Sequence, residues 1–571
     1  MNEITAISGE LVERRGDDPG VSANGAPVDK QAGIGGGAFK GGDTMSRELM
    51  SWRTPIISAD NALNKEKAVL DARGRDLIRN TGPMLGASNV HQDSIVGSQY
   101  RINLDPAFDV LRRATGIKEF DANWAEEFQQ EVEELFTLYA ESEDCWIDAT
   151  RMMTFTDMIR MGVCSYFAGG EVAATCNWMK GRGRPFSSAY QLFDPDRICN
   201  PNDMADTKFL RRGVELDSTG AVIALHIRRG YQNDPTAMAD SFRWDRRELT
   251  LKWGRANAIY IRRSQRVEQT RGTADMVSIL KEARMTDRFH ETTLANAIVN
   301  ASYAATIESE LPPEMAYEMI GSGNAKNSGD AALSFLNMLA EYSRGGKNMQ
   351  IDGVKIPYLF PGSKLKLLPA GTVGGVGTDF EESLNRYISA GLGISYEEYT
   401  HDFTKTNYSS AKAAANNTLR AMQARKRQVA DRMANTMFRN WFEEAIEGRQ
   451  IESMNSMLSK NRNLFYEGLN KDALCRATWI GSSRGQVDEL KETQAALLRI
   501  RAGLSTYEDE CARLGKDFRD VFRQRAREDA LASKLKLTFQ DSPTKPGTLS
   551  QERDTAGNDN SGDGNDDNAN Q

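Results

Sequence analysis

The sequence contains no Cys-x-x-Cys pair. Its six cysteines, Cys145, Cys164, Cys176, Cys199, Cys475 and Cys511, are scattered, and only four histidines (His91, His226, His290 and His401) accompany them. A zinc site needs clustered thiolate or imidazole ligands, so no metal is expected and the cysteines read as free thiols of a reducing compartment. Long apolar runs are missing as well. The longest, such as Ala221–Ile227, stop well short of the roughly 20 residues that span a bilayer. The first residues show no basic stretch followed by an apolar one, the mark of a secretory leader. The expectation is therefore neither membrane span nor export. A cationic excess is also lacking: 72 Lys and Arg stand against 80 Asp and Glu, a formal charge of −8. Proteins that clamp nucleic acid through its phosphates usually carry the opposite balance.

Catalytic signatures are equally scarce. The glycine-rich stretch Gly33–Gly42 includes Lys40 but lacks the G-K-[ST] ending that places an ammonium and a hydroxyl on phosphate and magnesium. No lysine follows Gly371–Gly377, and no G-x-S-x-G is present. His226, in an expected strand, has the chemistry of a general base but reads as a structural histidine. Glu131, Glu133 and Glu134 read as the wet face of a helix. No active site and no cofactor are expected.

What is present is enough apolar material, 40% of 571 residues, for about three or four domains at roughly 150 residues each. The two ends differ from the rest. Residues 1–50 are rich in glycine and poor in large apolar side chains, a composition that cannot offset its own ordering entropy. Residues 541–571 hold seven acidic residues against Lys545 and Arg553, so most of the net charge belongs to a solvated tail.

Between these ends, Phe120, Trp124, Phe128, Val132, Leu135, Phe136 and Tyr139 form one apolar helical face, with Asp121 or Asn123 as its cap. A second helix is expected at Phe155–Phe167, then strands at Glu171–Cys176, Ala189–Phe193, Ala221–Ile227 and Ile259–Ile261. Further helices are expected from about Thr273 to Glu310, at Ala331–Tyr342, at Phe380–Ala390 and from Ser410 to Glu447. Strand-like runs fall at Val354–Phe360 and Lys364–Leu368. Ser505-Thr506-Tyr507-Glu508 reads as a capping box, and Gly503 and Gly515 as helix ends. Trp441 and Trp479 read as core. The fold class is α+β, mainly α.

Several stretches, in order, resemble the lambda-type family of tailed-phage portal proteins. They are Asp76-Leu77-Ile78-Arg79-Asn80, His91-Gln92-Asp93-Ser94-Ile95-Val96-Gly97-Ser98, and Arg266-Val267-Glu268-Gln269-Thr270-Arg271-Gly272, which resembles the R-x-x-Q-x-R-G segment of the family. Phe380-Glu381-Glu382-Ser383-Leu384, Ala390–Glu397 and Asn407–Lys412 follow. Near the end come Trp479-Ile480-Gly481, Arg484-Gly485, Asp488, Lys491-Glu492 and Gly503–Glu508. The resemblance runs from about residue 50 to 540. Val267-Glu268 departs from the Pro-Gly common there, which implies a turn of different shape.

The resemblance implies a portal-protein fold with wing, stem, clip and crown around a central channel, in a ring usually of twelve subunits at one capsid vertex. Double-stranded DNA would enter and leave through it without sequence recognition. The implied partners are the terminase large subunit, major capsid and scaffold proteins, and head-completion or tail proteins. The implied locations are the virion and, during assembly, the host cytoplasm. By chain order, residues 1–50 are the arm, 51–270 the wing, 271–311 a stem helix and 312–378 the clip. Residues 379–394 are the second stem helix, 395–409 the channel loop, 410–450 the long helix, 451–540 the C-terminal helical wing and crown, and 541–571 the tail.

A conduit should hold phosphates weakly, because each fixed cation adds a salt-dependent attraction that slows sliding. Lys405, Asn407, Tyr408 and Lys412 are the candidates for the channel lining; an exposed lysine on an ordinary loop is the alternative for Lys405. Arg420, Arg425, Lys426, Arg427 and Arg432 read better as partners of acidic residues in a neighbouring subunit than as DNA contacts, since ring contacts are heterologous. Lys355, Lys364 and Lys366 either line the clip exit and dock the motor or face water on strands. The rival reading is a metal-dependent nucleic-acid-processing enzyme at the capsid, which requires clustered carboxylates.

Overall fold

The computed structural model describes residues 47–302 except 182 and 233, residue 337, and residues 349–351, 354–356, 377–483 and 489–537. The architecture is mainly helical with small antiparallel sheets, as expected. Local signals set the helix ends. Asp121 accepts a hydrogen bond from the Trp124 N–H at 2.8 Å and starts the Ala122–Ala140 helix. Thr154 and Asp157 form a capping box at the head of Phe155–Gly169, which Gly170 closes with φ +72°.

Three strands follow that turn, with Glu171–Trp178 in the centre, Ser188–Phe193 on one side and Ala258–Arg262 on the other. Val172 faces Ile261, and Ala173 lies between Phe193 and Tyr260. A four-stranded antiparallel sheet (Leu210–Arg211, Val214–Leu216, Val222–Arg228, Trp244–Glu248) carries its own small core of Val214, Leu216, Leu225 and Ile227. The strand at Trp244–Glu248 escaped the sequence reading because its charged Asp245, Arg246 and Arg247 hide the alternation.

The main core joins distant parts of the chain. Phe136, Phe155, Phe438, Trp441 and Trp479 are mutually packed, with the Phe136 and Trp441 rings 5.0 Å apart. Strand Arg101–Leu104 pairs with Ala477–Ile480, placing Ile102 opposite Trp479. Trp441 and Trp479 are both core, although Trp479 sits on a strand.

Several expectations need correction. A 3-10 turn at Asp275–Ile279 precedes the helix, which begins at Leu280 and is described to Ser302; Asp275 is turned inward by arginines, described below. The single helix expected from Ser410 to Glu447 is two, Tyr408–Gln428 and Ala430–Glu447, broken at Val429 with φ −114° and ψ −69°. Near the C-terminus the cap is Thr506 with Asp509, one residue later than read. Gly503 and Gly515 do take positive φ. Glu131 and Glu133 are not a wet face. Glu131 accepts the Glu452 and Ser453 N–H groups at the head of another helix. Glu133 accepts the Leu104 N–H at 2.7 Å, and burial pushes its carboxyl up to about 7. The expected helix Ala331–Tyr342 and strand Lys364–Leu368 lie, but for residue 337, outside the described residues; of the expected strand Val354–Phe360, Val354–Ile356 is a strand and the rest lies outside them.

Candidate functional site

All four residues of the motif segment Gln269–Gly272 are buried. Arg271 is 1% exposed, and all five of its N–H donors find acceptors. Nε and Nη2 grip the two oxygens of Glu171 at 2.9 and 2.7 Å. Nη1 donates to the carbonyls of Ile198 and Arg212, and Nη2 also to that of Pro195. The Lys67 ammonium completes the cluster, 2.8 Å from Asp71 and 3.6 Å from Glu171. Two buried cations thus face two buried carboxylates. Burial pushes the Glu171 carboxyl up, but Arg271 and Lys67 overcome it and hold it at about 2. At Asp71 burial wins over Lys67, and the carboxyl rises to about 6. The difference follows from the bidentate partner that Glu171 has and Asp71 lacks.

The neighbours of Arg271 serve the same junction. The Gln269 side chain accepts the Gln265 N–H and donates to the Arg271 carbonyl and the Thr273 hydroxyl. A Cβ on Gly272 would lie 2.1 Å from the Gly170 carbonyl oxygen, and one on Gly170 would lie 2.4 Å from the Thr273 carbonyl carbon. Only glycine fits where these two backbones cross. Glu268, at the departure from Pro-Gly, still takes φ +66°, so the turn keeps a glycine-like conformation there in a residue that resists it. Gln269, Arg271 and Gly272 are therefore a lock on the fold, with no face open to a ligand.

A second junction lies beside it. Asp275 meets Arg263 on one side and Arg425 Nη2 at 2.5 Å on the other. Arg425 also donates to His91 Nε2, while His91 Nδ1 donates to the Ala87 carbonyl at 2.7 Å. Burial, aided by the Arg425 charge, lowers His91 to about 3, so the imidazole stays neutral and accepts. Charge alone marks neither Glu171 nor Asp275 in the sequence. The available signal was a lone acid opening an otherwise apolar strand, Glu171-Val172-Ala173-Ala174.

The expected channel loop contains a helix of its own, Tyr396–Thr400, capped by a Ser395–Glu398 box. Thr418 donates to Glu398 at 2.5 Å and ties this turn to the next helix. Lys405 is exposed and paired with Glu382, which Arg386 also approaches at 3.1 Å. Asn407 caps the Tyr408–Gln428 helix, accepting the Ser410 N–H at 2.9 Å, and Tyr408 is the first residue of that helix. Lys412 lies 3.1 Å from Glu492.

Of the basic set beyond them, Arg425 and Lys426 are engaged within the chain. Lys426 contacts Asp431 at 2.9 Å and donates to the Trp479 carbonyl at 2.7 Å. Arg420, Arg427 and Arg432 are exposed. Lys355 is in the short Val354–Ile356 strand, opposite Gln350; Lys364 and Lys366 lie outside the described residues. His226 is held by Glu215 at 3.1 Å, which Arg246 also binds, a structural setting. Among the described residues no helix is long and apolar enough to cross a membrane.

Comparison with known proteins agrees with the sequence motifs. Residues 45–426 match the family model described as phage portal protein, lambda family. The portal protein of Escherichia phage N15 is 38% identical over 495 residues, 86% of this chain and 89% of that one. Portal protein B of Escherichia phage lambda is 37% identical over 493 residues, again 86% and 89%. Among solved structures, a chain in the neck of an empty GTA particle aligns over 79% of this chain and 94% of its own, with 11% identity and a TM-score of 0.38. The chain belongs to the lambda family of phage portal proteins, a structural family and not an enzyme family.

Proposed function

We propose that this chain is the protomer of a ring of about twelve subunits at one capsid vertex, through which double-stranded DNA is packaged and later ejected. The observation that carries this reading is the match to two phage portal proteins at 37–38% identity over 86% of the chain. In this reading residues 51–270 are the wing and 271–311 and 379–394 the stem helices. Residues 312–378, with Lys355, Lys364 and Lys366, are the clip that meets the terminase large subunit and then the head-completion or tail proteins. The C-terminal helices to 540 meet capsid and scaffold proteins during assembly in the host cytoplasm.

The loop at 395–409 faces the channel. Lys405 meets passing phosphates while Glu382 competes for it, and a cation already part-neutralised attracts DNA without holding it. Lys412, Asn407 and Tyr408 sit at the root of that loop. Arg420, Arg427 and Arg432 are offered to the acidic face of the next subunit.

Mass photometry of the purified chain, followed by negative-stain imaging, tests the proposal. A species near twelve times the 63.4 kDa subunit mass, with a central hole, is the expected result. A monomer at every salt concentration and on concentration would overturn it.

A further inference from the structure

A cavity of about 570 Å³ opens between the end of the Glu171–Trp178 strand and the Trp244–Glu248 strand with the hairpin that follows it. Its lining holds two arginines and no acidic residue. Arg247 is partly buried and shows no hydrogen bond or ion pair among the described residues. Its neighbour Arg246, on the opposite face of the strand, is tied to Glu215 and Glu248. Arg255 donates to the Asn440 carbonyl and the Ser188 hydroxyl, lies 3.8 Å from Glu443 and covers the Trp178 ring at 5.0 Å.

Two lysines extend the positive charge to the rim. Lys180 and Lys252 follow the lining residues Met179 and Leu251 in the chain. Both are exposed, and neither shows an ion pair among the described residues. Trp178, 53% exposed, supplies an apolar wall together with Met179 and Leu251. A cleft of one sign with low-dielectric walls focuses its field outwards and concentrates counter-ions. In a chain of net charge −8, such a mouth fits an acidic occupant.

The chain carries that charge beyond the described residues. From Asp554 to Gln571 it has Asp554, Asp559, Asp563, Asp566 and Asp567 and no Lys or Arg. The tether is long enough to bring them back. The helix Phe518–Leu535 is fixed to the body by Arg101–Asp520 at 3.2 Å and Arg523–Glu134 at 3.5 Å. Glu134 is in the Ala122–Ala140 helix, and the chain after that helix reaches the cavity wall at Ala149 and Thr150. The path from Leu535 back to that wall is at most about 80 Å. Extended, the segment from Leu535 to Asp567 spans about 105 Å. We infer that residues 554–571 dock in this cavity, with aspartate carboxylates on Arg247, Lys180 and Lys252. Being tethered, the segment competes at a high effective concentration against any free acidic partner.

The test uses the full-length protein with p-benzoylphenylalanine in place of Gln191, an exposed residue of the cavity wall. Photolysis is expected to join it to peptides from residues 554–571. Arg247→Glu should cut that yield roughly threefold or more. Raising the salt from about 0.1 to about 1 M should do the same, since it shortens the Debye length from about 10 to about 3 Å. Replacing the five aspartates with Asn should also do so. Arg247→Gln, with the melting temperature of the wild type, should fall between the wild type and Arg247→Glu, an order that misfolding does not produce. Crosslinks confined to other segments, such as the acidic Ala122–Ala140 helix of a second copy, or no crosslink at all, would overturn the inference. So would a yield on residues 554–571 that survives both Arg247→Glu and the Asn replacements.

Discussion

Asp275 and Arg425 lie 2.5 Å apart although 150 positions separate them in the chain, and both are largely buried. Asp275 stands at the entrance to the Leu280–Ser302 helix, and Arg425 in the last turn of Tyr408–Gln428. Replacing Asp275 with Asn leaves Arg263 and Arg425 facing each other with no counter-charge. The loss expected is about 3–5 kcal/mol, read as a shift in the urea midpoint. A midpoint equal to that of the wild type would show that the pair contributes nothing.

The Glu171 carboxyl gives a dependence on acid. Its folded value, about 2, is below the ordinary 4.5. A depressed carboxylate contributes stability that is full above the unfolded value and lost as pH falls through the folded one. Between pH 4.5 and 2 the wild type should therefore lose about 3 kcal/mol from this group. Glu171→Gln, which leaves Arg271 without its counter-ion, should be destabilised at pH 7 and show a flatter acid limb.

Glu133 behaves in the opposite way. Burial raises it to about 7 from 4.5, so its favourable contribution is present below pH 4.5 and is lost as pH rises through 7. Glu133→Gln keeps an acceptor for the Leu104 N–H and removes the buried charge. It should raise the melting temperature at pH 8, by the equivalent of about 1–2 kcal/mol, and change little at pH 4.5. A drop at pH 8 would contradict the assignment.

Glu268 holds a left-handed backbone, with φ +66°, that costs a non-glycine residue roughly 1–2 kcal/mol. Glu268→Gly should stabilise the chain, less the extra freedom that glycine gains when unfolded. By contrast, Gly272→Ala forces a Cβ to 2.1 Å from the Gly170 oxygen and should cost at least about 3 kcal/mol. Denaturant midpoints of the two variants, one up and one down, check both.

These pairs show where the sequence was readable. The Ala122–Ala140 and Phe155–Gly169 helices and four of the strands were legible because apolar spacing and caps are local. The Arg271–Glu171 ion pair, 2.7 Å across 100 positions, was not, because nothing in either segment says which distant partner will neutralise it. Glu133 misled for the same reason: the spacing put it on the polar side, and its cover is supplied by Leu104 and the C-terminal Asp517 and Arg519. The break at Val429 follows no proline or glycine, so no local residue type announced it. Of the loop candidates, Asn407 had a readable role as a cap, whereas the Lys405–Glu382 pairing depended on how two helices meet.

The break at Val429 also has a mechanical side. Below it, Ala430–Glu447 is buried on most of its faces. Above it, Tyr408–Gln428 is a rod of 21 residues, about 30 Å long at 1.5 Å per residue. Lys426 and Asp431 brace the joint from either side at 2.9 Å. A rod of that length, turning about that joint, sweeps its far end roughly half an ångström for each degree. Rotation too small to disturb the core would thus be magnified at Asn407 and the loop that precedes it.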